Sequence, residues 1–283
     1  MTGSVAVDVS RVEAWAGRAV VGDVRRVRLQ GGRVSPIVER VIVPVSGGVV
    51  ELLAKRATPG EVVALDLLPA DPVFPELVDS GVDESGPWVV TTYQPGASIG
   101  WTTEPPGAVY EALARLHQRY LGRADLELPR VDADFLRRSF DGFARGGLAT
   151  VPAHPVRGRA DRMLDRFVDD ERLLAGLERL PVTLLHGDVH GDNVIVDDLG
   201  RPVLVDWGSA RIGPPMLDVT LAAGPSGVAS YGETSELGRV WATAVNNAMF
   251  VGAAAQRSLE VAGEMVIAAE RAVDELGALL EIG

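Results

Sequence analysis

Short runs of β-branched and aliphatic residues alternate with glycine pairs through the first ninety residues. Runs at 24–29, 37–45 and 49–54 are separated by Gly31-Gly32 and Gly47-Gly48. That spacing predicts strands joined by hairpins. The signal changes at Thr58-Pro59-Gly60-Glu61. A capping threonine, a proline at the first helical position and a glutamate three residues after the cap open a helix. It runs to Leu67 or Leu68 and stops at Pro69. Pro72 and Pro75 then lead to another strand pair, near Leu77 and at 88–92.

Tyr93-Gln94-Pro95-Gly96 is a turn-like break, and the pattern beyond it is mostly helical. Val109, Ala112, Leu113, Leu116 and Tyr120 share one helical face. Further helices are expected over 134–143, 160–177, 235–256 and 259–280. One β island interrupts them at 182–207. The whole reads as an α+β chain: a small β-rich domain over 1–93, a hinge at 91–96 and a larger helical domain over 94–283.

Composition narrows the function. The chain has 283 residues, enough for one large domain or two small ones. Hydrophobic residues make up 47% and charged residues 23%, a balance that argues against disorder or coiled coil. There is no cysteine, which excludes disulfides, thiolate catalysis and Cys-ligated zinc. The net charge of −12 disfavours nucleic acid as a partner and suits cationic small molecules. Asp8, Arg11 and Glu13 break up any N-terminal secretion signal. The uncharged stretches at 85–103 and 240–256 contain Pro87, Pro95, Asn246 and Asn247, and neither reaches the roughly 20 apolar residues of a membrane helix. A cytoplasmic protein without membrane contact is expected. Of the 27 basic residues only Lys55 is lysine. In a chain so biased toward arginine, a lone lysine marks a place where a compact ammonium is needed and a planar guanidinium does not fit.

The chemistry concentrates in the β island. Apolar runs flank His186-Gly187-Asp188-Val189-His190-Gly191-Asp192-Asn193, and Val205-Asp206-Trp207-Gly208 follows the turn signal at 197–200. A hairpin with Val196 opposite Arg201 sets Asp206 opposite Gly191. Side-chain alternation then brings Asn193 and Asp206 out together, with Asp188 in the loop just before them. An Asn–Asp pair of hard oxygen donors suits Mg²⁺, which keeps phosphate oxygens and water in its shell. A further carboxylate can orient a hydroxyl for attack on phosphorus. The i, i+4 spacing of His186 and His190 suggests zinc only on a helix, which Gly187 and the preceding strand argue against.

This loop resembles the H-G-D-x-H-x-x-N catalytic pattern of the aminoglycoside phosphotransferase and choline kinase superfamily, relatives of protein kinases. Asp206-Trp207-Gly208 resembles its metal-binding segment, Gly213-Pro214-Pro215 with Asp218 its usual continuation, and Ala114-Arg115-Leu116-His117 its helix after the hinge. The resemblance implies a bilobal protein-kinase-like fold and an ATP-dependent, Mg²⁺-dependent small-molecule kinase, with GTP as the alternative nucleotide. It implies Asp188 as the catalytic base and Asn193 and Asp206 as metal ligands. Lys55 falls on the α/β-phosphates, held by Glu61, and the backbone at Thr92 and Gln94 on adenine. Asp218 falls to anchoring the loop and His117 to a structural role. Gly31-Gly32 is the best candidate for a phosphate loop. The expected acceptor is a hydroxyl of an aminoglycoside or other cationic antibiotic; choline, homoserine or a sugar are the alternatives. A two-metal phosphoesterase also uses a G-D-x-H-G element, but it needs further metal-binding histidines, and none follows His190. A non-catalytic nucleotide-binding protein would be expected to lack the base or a metal ligand.

Overall fold

The structure is a computed structural model that describes residues 4–29, 37–221 and 225–282. Gly31-Gly32 lies outside the described residues. The chain divides into two compact units: residues 1–103 with 190–210, and residues 104–189 with 211–283.

The first unit is built on a five-stranded antiparallel sheet. Its strands are β1 (Arg25–Leu29), β2 (Val38–Val45), β3 (Gly48–Arg56), β4 (Leu77–Asp83) and β5 (Gly86–Thr92), in the order β1-β2-β3-β5-β4. Alternate residues of β2 and β3 face one way, so Val41, Val43, Val45, Leu52 and Ala54 are buried together. Val5 and Val12 cover that face; Val12 belongs to α1 (Val9–Ala16), a helix the sequence pattern did not announce. The Asp8 carboxylate caps α1 by accepting the Ser10 N–H at 2.8 Å. The opposite register of β3 carries Leu53 and Lys55. Helix α2 (Pro59–Leu67) follows directly, with the Thr58 hydroxyl accepting the Glu61 N–H at 3.0 Å.

Residues 94–103 and 190–210 also pack in this unit, which differs from a boundary at 93/94. The reason is strand pairing. Ala97–Ser98 pairs with Val194–Val196, which pairs with Pro202–Leu204, and the Leu204 N–H donates to the Val73 carbonyl at 2.8 Å.

The second unit is mainly helical. Helix α3 (Gly107–Arg119) buries Val109, Ala112, Leu113 and Leu116 of the predicted face, with Tyr120 buried just past its end, and it also buries Tyr110, which the pattern did not include. The helix Glu236–Ala255 is buried along most of its length and packs against the helix Leu259–Ile282. The expected helix over 160–177 is two helices, Pro155–Phe167 and Glu171–Arg179. Asp170 starts the second by capping the Arg172 N–H at 2.9 Å. The run over 134–143 continues from Ala133–Arg138 into a π-helix, Ser139–Ala144. A short antiparallel pair, Thr183–Leu185 with Arg211–Gly213, lies in this unit. Among the described residues, no helix is long and apolar enough to cross a membrane.

Tyr110 is fully buried and its hydroxyl has no hydrogen-bond partner. Burial, and then the charge of Glu104, push its ionisation above the usual phenol range. A buried unpaired hydroxyl destabilises the fold by roughly 1–3 kcal/mol. Tyr110→Phe is therefore expected to raise the thermal midpoint or leave it unchanged; a drop in a calorimetric melt would contradict this reading.

Candidate active site

Lys55 sits on the central strand β3, on the register opposite the buried Leu52 and Ala54. Its ammonium lies 2.7 Å from Glu61 Oε1 and 2.9 Å from Asp206 Oδ1. The three side chains are 12%, 3% and 52% exposed, so the Lys–Glu contact is the buried one. Burial disfavours the Lys55 charge, but the carboxylates of Glu61 and Asp206 outweigh it and hold its pKa above the usual lysine value. Burial is also the largest influence on Glu61 and raises its pKa, against the ammonium of Lys55. Glu61 thus gives its backbone N–H to the capping Thr58 hydroxyl while its side chain holds the lysine.

Lys55 and Glu61 line a cavity of about 240 Å³ within the first unit. Leu29, Leu53, Ile195 and Val205 supply apolar walls, and Thr92, Tyr93 and Gln94 form an edge. At that edge the Thr92 N–H donates to the Glu76 carbonyl at 3.0 Å, and the Gln94 side chain donates to the Thr92 hydroxyl at 2.9 Å.

The hairpin that carries Asn193 and Asp206 departs from the expected register. Val196 faces Pro202 and Val194 faces Leu204, one residue away from a Val196–Arg201 pairing. The turn spans five residues because Asp197 accepts both the Leu199 and Arg201 N–H groups at 2.9 Å. Gly191–Asn193 is a 3-10 turn rather than strand. Asn193 still comes beside the Asp206 segment, since its carbonyl accepts the Val205 N–H at 2.8 Å. Asp206 itself has φ 64°, the one non-glycine residue at positive φ among the described residues. A 3-10 turn and a left-handed residue, not strand alternation, aim this pair. Gly191 permits the turn: a Cβ there would stand 2.1 Å from the Gly100 carbonyl oxygen. The His190 ring lies 4.3 Å from Trp101 and is 3.3 Å from the Asn193 amide.

Asp188 lies in the second unit, on a loop fixed by Asp218. The Asp218 carboxylate is buried and accepts the His186 and Gly187 N–H groups, each at 2.7 Å. It also meets His117 Nε2 at 3.3 Å, and His117 Nδ1 meets the Tyr231 hydroxyl at 2.9 Å. Gly187 turns the chain with φ 81°, and the Asp188 N–H donates to His186 Nδ1 at 3.2 Å. His186 and His190 each hold the N–H two residues on, which is loop-stiffening rather than zinc geometry. Among the described residues, no group of three or more His, Asp or Glu forms a metal-ion cluster. Sequence reasoning missed Arg211, whose guanidinium stacks 4.6 Å over the Phe135 ring. Its only signal was its place five residues after Asp206.

The sequence profile of the phosphotransferase enzyme family matches residues 48–253. Aminoglycoside 3'-phosphotransferases of Streptomyces ribosidificus and Streptomyces fradiae are 31% and 29% identical to it, over 58% and 53% of this chain. The matched segments span 64% and 57% of those relatives' own length, less than two thirds. A solved spectinomycin phosphotransferase, in complex with ADP and spectinomycin, aligns with a TM-score of 0.53 at 12% identity, covering 97% of this chain and 99% of that one. At that identity the likeness establishes the fold, α+β and kinase-like.

Two outcomes follow from the geometry. Glu61→Gln leaves a buried ammonium facing a half-exposed Asp206, so it should destabilise the protein by about 3 kcal/mol. Asp206→Asn should cost much less. Equal costs in urea titrations would contradict the ranking by burial. Burial pushes the Asp218 carboxyl up, but His117 and the loop N–H groups outweigh it and hold its pKa below the ordinary 3.8. Its stabilisation is therefore complete above that value and is lost as pH falls through the lower folded value. Asp218→Asn should cost about 2–3 kcal/mol at neutral pH. It should also flatten the fall in stability below pH 4; an unchanged acid slope would count against the assignment.

Proposed function

The chain belongs to the phosphotransferase enzyme family, and from that premise we propose that it transfers the γ-phosphoryl group of ATP to a hydroxyl of an aminoglycoside or another cationic antibiotic. The observation that carries this reading is the Lys55 ammonium clamped between Glu61 and Asp206 at the wall of an apolar cavity. An ammonium fixed in that way is poised for phosphate oxygens, and Glu61 keeps it from collapsing elsewhere. The cavity walls suit a purine. The Thr92 carbonyl accepts from the exocyclic amine of adenine, with the Gln94 backbone as the second contact, which favours ATP over GTP.

Asn193 and Asp206 offer hard oxygen donors that fit Mg²⁺. With no richer acidic cluster among the described residues, an ion held there takes the rest of its shell from phosphates and water. When bound, Mg²⁺ supplies charge neutralisation for the phosphate oxygens. Asp188 orients the acceptor hydroxyl and receives its proton as its oxygen attacks phosphorus. Asp218 keeps Asp188 in place through the loop backbone. The acidic balance of −12 and the two aminoglycoside-modifying relatives support a cationic acceptor. A cytoplasmic setting suits an enzyme that consumes ATP.

An ATP-consumption screen over aminoglycosides, choline, homoserine and simple sugars tests the acceptor. Turnover with an aminoglycoside is expected, and turnover only with one of the metabolites would reassign the substrate. Asp188→Ala should lower kcat by roughly 100-fold or more while nucleotide titrations stay unchanged. Full activity in that variant would remove Asp188 from the mechanism.

A further inference from the structure

Arg211 is a largely buried cation that the reaction scheme above does not use. It opens the short strand Arg211–Gly213 and stands directly across from Leu185, the residue before His186. One face of its guanidinium is covered by the Phe135 ring at 4.6 Å. Burial pulls its proton affinity down, while the negative charges of Asp218 and Asp188 act against that. A guanidinium in such surroundings is retained where a planar, permanently charged fork meets carboxylates. Asp218 already accepts two backbone N–H groups and meets His117. Asp188 is the carboxylate whose direction matters for an incoming hydroxyl.

We infer that Arg211, seated on Phe135, is a positioning residue for Asp188, holding its carboxylate aimed at the acceptor hydroxyl. The inference rests on the reading of Asp188 given above. The Asp188 N–H is held by His186 of the same loop, and Asp218, itself against His117, is the other carboxylate that acts on Arg211. Arg211 does not touch the reacting atoms in this scheme. It sets how often Asp188 presents the productive rotamer, so its loss should appear in kcat and not in nucleotide KM.

The test is a double-mutant cycle on the full chain, with Arg211→Gln, Asp188→Asn and the double variant, read in both urea unfolding and turnover. Arg211→Gln should lower kcat about tenfold or more, with the KM for ATP unchanged, and Arg211→Lys should restore part of the loss. In the Asp188→Asn background, Arg211→Gln should have little further effect on either unfolding or residual turnover. Additive unfolding effects would overturn the coupling whether or not any acceptor is turned over. Coupled unfolding with an unchanged kcat would overturn the positioning role. If the wild-type protein transfers phosphate to no alcohol, the functional reading fails, and with it the positioning role; the unfolding cycle still decides whether the two charges are coupled.

Discussion

Everything in the first unit converges on one buried ammonium. A lysine tail on a central strand is costly to bury without partners, because desolvation of the charge opposes folding. Here Glu61 from α2 and Asp206 from the hairpin offset that cost at 2.7 and 2.9 Å. The contact ties the consecutive β3 and α2 to the distant Asp206 segment. It also fixes the charge pattern at the cavity: a cation locked in place, flanked by carboxylates of unequal exposure. The buried Glu61 holds the lysine, and the half-exposed Asp206 is the carboxylate with room to turn.

The second unit solves a different problem, that of keeping the loop that carries Asp188 rigid. Its device is Asp218, a fully buried acid satisfied by two loop N–H groups and a histidine. Asn246 supports this from the long helix by donating to the Leu217 carbonyl at 2.9 Å. Backbone hydrogen bonds to an ionised acceptor are among the stronger anchors a loop can have. Rigidity there matters because phosphoryl transfer asks the protein mainly for positioning and electrostatics.

Much of this was legible in the residues. Lys55 stood out as the lone lysine, Glu61 by its offset from Thr58, and the catalytic loop by three hydrogen-bonding residue types packed between apolar strands. All of these are local signals. The hairpin register was not legible, because it depends on whether Asp197 captures one or two N–H groups, a choice that shifts every later pairing. The left-handed Asp206 was hidden as well: aspartate tolerates that region, but nothing local in the sequence says which aspartate adopts it. The affiliation of residues 190–210 with the β-rich unit arises from pairing with Ala97–Ser98, two residues too short to show a period. Arg211 was invisible as one arginine among 26.

The most direct measurement is nucleotide affinity after Lys55→Arg, which keeps the positive charge but changes its shape. A guanidinium cannot occupy the space between Glu61 and Asp206 in the way a compact ammonium does. A calorimetric titration with Mg-ATP should therefore show binding weakened by at least tenfold in a variant that is still folded. Wild-type affinity in that variant would mean that the clamped lysine is not what holds the phosphates.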